Sequence, residues 1–355
     1  MPGIEISQRF SLLLLLMAGC LALLGAALVV VRRLSTGEEG STFQKVAKNS
    51  LFPMGTSLLN KLLDLAFAVY MWRVLGPEGV GKYTFAVVAI GYLDILANFG
   101  LGTLLTREVA KDRGSASRYL GNTLVARLAL WAISLPLVAV LVGPAAPTLA
   151  ITPDVALAIL LLTVGLLPSL LSATVSSLFM AYERFEYPAA VTVLTTLLKV
   201  LLGAAALALG WGFVGLAGVS VVVNLATAAV LLALMLALLL RPKLEFQPGF
   251  SWRMLGLSCP LMLNSLLNSV FFRVDSLMIK PMVGDSALGW YGTAYKFIDG
   301  LGIISSSFIL ALFPLLSQHA QSARDALART GGFAIKLLLV VSLPISVGTT
   351  LVAPE

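Results

Sequence analysis

LGPEGVGKY, residues 75–83, returns as VGDSALGWY at residues 283–291. At this offset of 208 residues Gly76 falls on Gly284, Gly81 on Gly289 and Tyr83 on Tyr291. The correspondence runs on in both directions without a gap. Upstream, MGTSLLN (54–60) lies on MLNSLLN (262–268), so that Met54 meets Met262 and Asn60 meets Asn268. Downstream, Ala86, Ile90, Leu93 and Ile95 lie on Ala294, Ile298, Leu301 and Ile303. Leucine-rich segments coincide by chance, so the glycines, the tyrosine and the asparagine carry the comparison. A turn that keeps glycine at both ends points to positive φ or to a close helix approach at those places. One structural unit is therefore written twice.

That unit belongs in a membrane. Hydrophobic residues make up 59 % of the 355 and charged ones 12 %, against roughly 25 % charged in soluble globular domains. Unpaired backbone groups are costly in hydrocarbon, so a spanning segment is a helix of about 20 largely apolar residues. Ten stretches qualify: 10–31, 51–72, 83–105, 119–142, 155–180, 187–209, 213–240, 254–282, 286–316 and 331–353. Six spans separate the start of one copy, at 51–72, from the start of the next, at 254–282, so both copies enter the membrane in the same direction. Such a parallel repeat is related by a pseudo-two-fold axis along the membrane normal, with a substrate path between the halves.

The expected fold is all-α, a polytopic membrane helical bundle of two pseudo-symmetric lobes with the second incomplete. Residues 1–44 are expected to form an extra N-terminal hydrophobic helix and polar linker, 45–245 an N-lobe of six transmembrane helices, and 246–355 a partial C-lobe of three. Residue 355 corresponds to residue 147, the end of the third span of the first copy, so the chain is expected to be a C-terminally truncated piece. The run 10–31 is expected to be a retained span with its N-terminus outside. LLMAGC, ending at Cys20, faintly resembles a lipoprotein cleavage site, but the apolar run continues past the cysteine.

The net charge of +7 is distributed rather than massed. Lys45, Lys48, Arg107, Lys111, Arg113, Arg118, Arg184, Arg241, Lys243, Arg253, Arg324 and Arg329 fall in alternate loops. The opposite loops 143–154 and 210–213 carry no cation, and 73–82 carries only Arg73 and Lys82. By the positive-inside rule the first set is cytoplasmic, and no nucleic-acid partner is needed to explain the charge. Cys20 and Cys259 lie in spans, which suggests neither a disulfide framework nor a metal site, and nothing calls for a cofactor.

Several ionisable residues lie well inside the spans: Lys61, Asp64, Asp94, Arg127, Lys199, Arg273, Asp275, Lys296 and Asp299. Each costs roughly 2.5–3.5 kcal/mol in lipid even on a lenient scale, on the order of 20 kcal/mol for the set, so they must face protein, one another or water. Lys61 with Asp64 and Lys296 with Asp299 are spaced i, i+3 and share a helix face. Arg273 and Asp275 point apart, so at least one needs a partner on another helix or a ligand. Asn60 and Asn268 are placed to hydrogen-bond across a central cleft. Lys61, Arg127, Arg273 and Lys296 around one cavity would suit an anionic substrate such as a pyrophosphate, which arginine grips in bidentate fashion.

The runs WRVLGPEGVGKYTFAVV, ANFGLGTLLTREVA, SSLFMAYERFEY and VGDSALGWYGTAYKFIDG…ALFPLLSQ resemble the polysaccharide, or O-antigen type, flippases of the multidrug/oligosaccharidyl-lipid/polysaccharide exporter superfamily, over about residues 45–355. The resemblance implies two six-helix lobes around a cation-rich cavity, working by alternating access. The cargo it implies is a polyprenyl-pyrophosphate-linked oligosaccharide, carried from the cytoplasmic to the outer leaflet of the cell (plasma or inner) membrane. It implies Lys61, Asp64, Arg127, Arg273, Asp275 and Lys296 as substrate-binding residues. The implied partners are lipid-linked oligosaccharide, membrane lipids and polysaccharide assembly proteins. A drug/cation antiporter of the same superfamily is the alternative, and it would favour acidic over cationic cavity residues. A major facilitator would carry a Gly-rich, basic loop whose order REVAKDRGSASRY lacks. A membrane-embedded glycosyltransferase needs acid/base groups in a sizeable hydrophilic loop. The lone His319 sits in a cytoplasmic loop and no external loop is long enough, so the chain is expected not to be an enzyme.

Overall fold

Gly76 (φ 64, ψ 177) and its repeat counterpart Gly284 (φ 105, ψ 177) both adopt a backbone conformation open essentially to glycine alone, and each ends one helix and starts the next. The computed structural model describes residues 42–239 and 245–296, with short helical stretches between 298 and 350. Helix α1 (Thr42–Asn98) is two helices meeting at Gly76. It is followed by α2 (Leu101–Lys111), a 3-10 turn at Arg113–Ser115, α3 (Ala116–Val142), α4 (Pro153–Ala181), α5 (Glu186–Ala208), α6 (Gly212–Leu238) and α7 (Pro248–Val283). Beyond Gly284, residues 285–296 are again helical.

Among the described residues six helices are long and apolar enough to cross a membrane by length and composition, and the break at Gly76 divides the first of them into two crossings. These account for the spans expected from 51–72 to 254–282. The runs 10–31 and 301–330, with Cys20, His319, Arg324 and Arg329, and parts of the span 331–353, lie outside the described residues.

One span ends early. The stretch expected to run from 83 to 105 stops at Asn98, where Phe99 (φ 48) and Gly100 (φ 69) turn the chain. From there α2 is a separate amphipathic helix that buries Leu101, Leu104, Leu105 and Val109 and exposes Arg107 and Lys111. The i, i+3, i+4, i+8 pattern places one face on the bundle and leaves the other polar.

Helix α4 packs chiefly on α6, α5 packs on α1 and α6, and α7 packs on α1. Two apolar cores occupy opposite ends of this bundle. One gathers Leu120, Leu178, Phe179, Tyr187 and Met235; the other gathers Phe85, Leu93, Val138, Ile159 and Leu288. Pro136 and Pro168 sit inside α3 and α4. Carbonyls in the turn before Pro168 find donors on neighbouring helices: Trp131 Nε1 donates to Thr163 O and Asn224 Nδ2 to Gly165 O, each at 3.0 Å. This is how a proline is tolerated in a spanning helix.

The two repeated turns meet. A Cβ on Gly81 would stand 1.8 Å from the carbonyl oxygen of Asp285, and a Cβ on Gly289 would stand 1.9 Å from that of Pro77. Asp285 is the counterpart of Pro77 and Gly289 that of Gly81, so the contact is reciprocal. Thr84 touches its own counterpart, with a Cβ on Gly292 lying 3.7 Å from Thr84 Cβ. A position in contact with its own repeat image marks a local two-fold axis. From there the second arm of α1 and α7 stay together: Tyr92 donates to Ser269 O at 3.1 Å, and a Cβ on Gly100 would lie 2.7 Å from Leu261 Cβ.

The chain divides into two compact units, Met1–Ala294 and Tyr295–Glu355, and every contact above lies in the first. Overpacking a tight contact costs typically 1–3 kcal/mol. Gly81→Val and Gly289→Val are each expected to lower the thermal inactivation temperature of the purified protein. Gly218→Ala, with nothing within 4 Å of the added carbon, should leave it unchanged. Equal behaviour of the three variants would show that the crossing is not tight.

Candidate functional site

Between the two apolar cores lies a polar layer. Arg127 on α3 is 3 % exposed and donates from Nη1 to Leu170 O at 3.0 Å and to Thr174 Oγ1, both on α4. Asp94 on α1 accepts from Asn98 Nδ2 at 2.7 Å and interacts electrostatically with Arg127. Gly102 leaves room for this cation: a Cβ there would stand 3.1 Å from Arg127 Nη2 and 2.8 Å from Ser177 Oγ. The guanidinium is thus engaged with groups of the bundle, tying α3 to α4 and balancing a carboxylate on α1. A buried cation is tolerated at this depth when its charge is balanced in this way, although Arg127 Nε is buried without a hydrogen-bond acceptor.

A second cluster forms on α7. Asp275 accepts from Tyr291, on the helix after Gly284, and from Ser276 N at 2.6 Å. Arg273 and Asp275 both act electrostatically on Tyr92. The partner that the i, i+2 spacing demanded is therefore present for Asp275, and the two residues converge on the second arm of α1. Arg273 is half-buried.

Lys61 is exposed and Asp64 half-buried on the first arm of α1, and no ion pair joins them despite their shared face. Lys296 and Asp299 are exposed and belong to the second unit. The expected bond between Asn60 and Asn268 is not formed. Asn268 donates to Asn264 O at 2.8 Å within its own helix, and Asn60 Oδ1 is buried without a partner. A carbonyl four residues back is always within reach of an asparagine on a helix, and here it outcompetes a partner across a cleft.

Sequence reasoning missed Lys280. Its side chain is wholly buried, it pairs with Asp285, and its ammonium lies 5.3 Å from the centre of the Phe85 ring. Glu78 and Lys82, paired at 2.6 Å, are close enough to feel Lys280 and Asp285 respectively, and Lys82 also feels Asp154 at the start of α4. Five charges thus surround the glycine crossing. The available signal was the i, i+5 spacing of Lys280 and Asp285 across Gly284, which looks ordinary until the turn brings the ends together.

Residues 46–320 match the family described as polysaccharide biosynthesis protein. No curated protein matches the chain in sequence. Solved structures share the fold. The MATE multidrug transporter DinF-BH is 18 % identical with TM-score 0.60 over 86 % of this chain and 72 % of that one. An inward-facing multidrug resistance MATE family transporter of the MOP superfamily is 19 % identical with TM-score 0.61, over 83 % and 70 %. An outward-facing transporter of that description is 16 % identical with TM-score 0.57, over 87 % and 71 %.

Breaking a buried ion pair from one side costs about 3–5 kcal/mol, while replacing both partners is often nearly neutral. Asp285→Ala is therefore expected to destabilise the purified protein strongly. Lys280→Met/Asp285→Ala should recover much of that loss in thermal inactivation. A double variant weaker than the single one would show that the lysine does not depend on this carboxylate.

Proposed function

The chain belongs to the polysaccharide biosynthesis protein family, and from that premise we propose that it is a transporter of lipid-linked oligosaccharide. The cargo is a polyprenyl-pyrophosphate-linked glycan, moved from the cytoplasmic to the outer leaflet of the cell membrane for cell-surface polysaccharide synthesis. The protein works without catalysis, alongside polysaccharide assembly proteins. Residues 45–245 act as one lobe and 246–355 as part of a second.

The observation that carries this reading is Arg273, a half-buried guanidinium inside the repeated segment of α7, convergent with Asp275 on Tyr92. A planar fork of donors suits a pyrophosphate better than a lipophilic cation. Lys61 and Asp64 on the first arm of α1 extend the set, Arg127 stabilises the bundle behind it, and Lys296 is assigned on the sequence pattern alone. The pyrophosphate binds the cationic cleft, the polyprenyl tail stays in lipid and the glycan crosses by the aqueous path. A lobe crossing tuned by buried charge lets one end open while the other stays closed.

The relatives of known structure named above are multidrug transporters, so drug/cation antiport is the competing reading. Charge reversal at Arg273 separates the two. In cells making the protein, Arg273→Glu is expected to abolish export of the glycan to the cell surface with protein level and monodispersity unchanged. Unimpaired export would exclude Arg273 from the essential set. Uptake of a cationic dye by proteoliposomes, without movement of lipid-linked oligosaccharide, would establish the antiporter instead.

A further inference from the structure

An apolar groove of about 540 Å³ runs between α3 and the first half of α7, within the size range of roughly 300–1,000 Å³ typical of ligand sites. Leu130 and Ile133 form one wall, Trp252 and Leu255 the other, and Phe99 and Phe246 also line it. Ile133 and Trp252 are more than two-thirds exposed. The walls are held in place by Asn122, whose Oδ1 accepts from Gln247 N at 3.0 Å and Ser251 Oγ at 2.8 Å, fastening the start of α7 to α3. Beside the groove Gly100, in the turn after α1, lies against Leu261 of α7.

One end of the groove is cationic. Tyr119 packs edge-on against Phe250 at 4.9 Å, and both belong to the cluster that contains Phe99, Leu130 and Leu255. The Arg118 guanidinium lies 4.0 Å from the centre of the Phe250 ring, and Arg118 and Arg253 both act electrostatically on Tyr119. Arg107 nearby is paired with Glu108 at 2.8 Å. Among the described residues neither Arg118 nor Arg253 has a carboxylate within ion-pair distance. The charge pattern puts this end at the cytoplasmic surface, where anionic lipids collect and basic pockets between spanning helices bind their headgroups.

We propose that this groove is a binding site for an anionic phospholipid of the cytoplasmic leaflet. Arg118 and Arg253 hold its phosphate and the wall between Ile133 and Trp252 holds an acyl chain. The bound lipid bridges α3 to the helix that begins the second copy of the repeat.

Cys259 lines the same groove and is half-exposed, so it reports occupancy. The full chain carrying Cys20→Ser is placed in nanodiscs of phosphatidylcholine alone or with phosphatidylglycerol, and maleimide labelling of Cys259 is timed. Phosphatidylglycerol is expected to slow labelling relative to phosphatidylcholine. Arg118→Gln/Arg253→Gln should remove the slowing, with affinity for phosphatidylglycerol reduced roughly thirtyfold for the loss of two interfacial charges. Arg118→Lys/Arg253→Lys should retain it. Equal labelling in both lipids overturns the proposal, as does a double glutamine variant that keeps the preference. So does restoration of fast labelling or displacement of phosphatidylglycerol by added polyprenyl phosphate, which would give the groove to the cargo.

Discussion

Two helices meet backbone to backbone only where no side chain stands between them, and the crossing of Gly81 with Asp285 and of Gly289 with Pro77 is such a place. Gly76 and Gly284 turn the chain so that the crossing helices begin there. The second arm of α1 then runs along α7, through Tyr92 and Ser269 to Gly100 and Leu261. In a membrane this matters more than in water, because association of helices in lipid gains little from apolar burial and depends on close packing of small residues.

Charge is distributed by the same logic. Lys280 and Asp285 sit at the crossing and neutralise one another beside Phe85. Arg127 sits midway between the apolar cores and is met by a carbonyl, a hydroxyl and the field of Asp94. Arg273 and Asp275 meet at Tyr92. Arg127 is buried and Arg273 half-buried, although both stand in the middle of an apolar run.

Much of this was legible in the residues. The repeat identified the turns, and the demand of two glycines per turn anticipated both outcomes that the structure displays, positive φ at Gly76 and Gly284 and close approach at Gly81 and Gly289. The crossings from 51–72 to 254–282 were set by hydrophobic length. What escaped depends on contacts remote in the chain or on competition within a turn. The break at Phe99 and Gly100 was hidden because apolar residues continue across it into the first turn of an amphipathic helix. Asn122 gives no warning that it will fasten a segment 125 residues away. The pairing of Asn60 with Asn268 failed because an intrahelical acceptor is nearer.

The most direct measurement uses Thr84 and its own repeat image, Gly292. Their Cβ positions lie 3.7 Å apart, close to the mean of about 3.8 Å for a disulfide. With both changed to cysteine in a Cys20→Ser/Cys259→Ser background, mild oxidation of the protein in membranes should join 84 to 292, detected by mass spectrometry of the linked peptides. A pair that stays reduced while the protein remains folded and reacts with maleimide would mean that the two copies do not meet about a common axis.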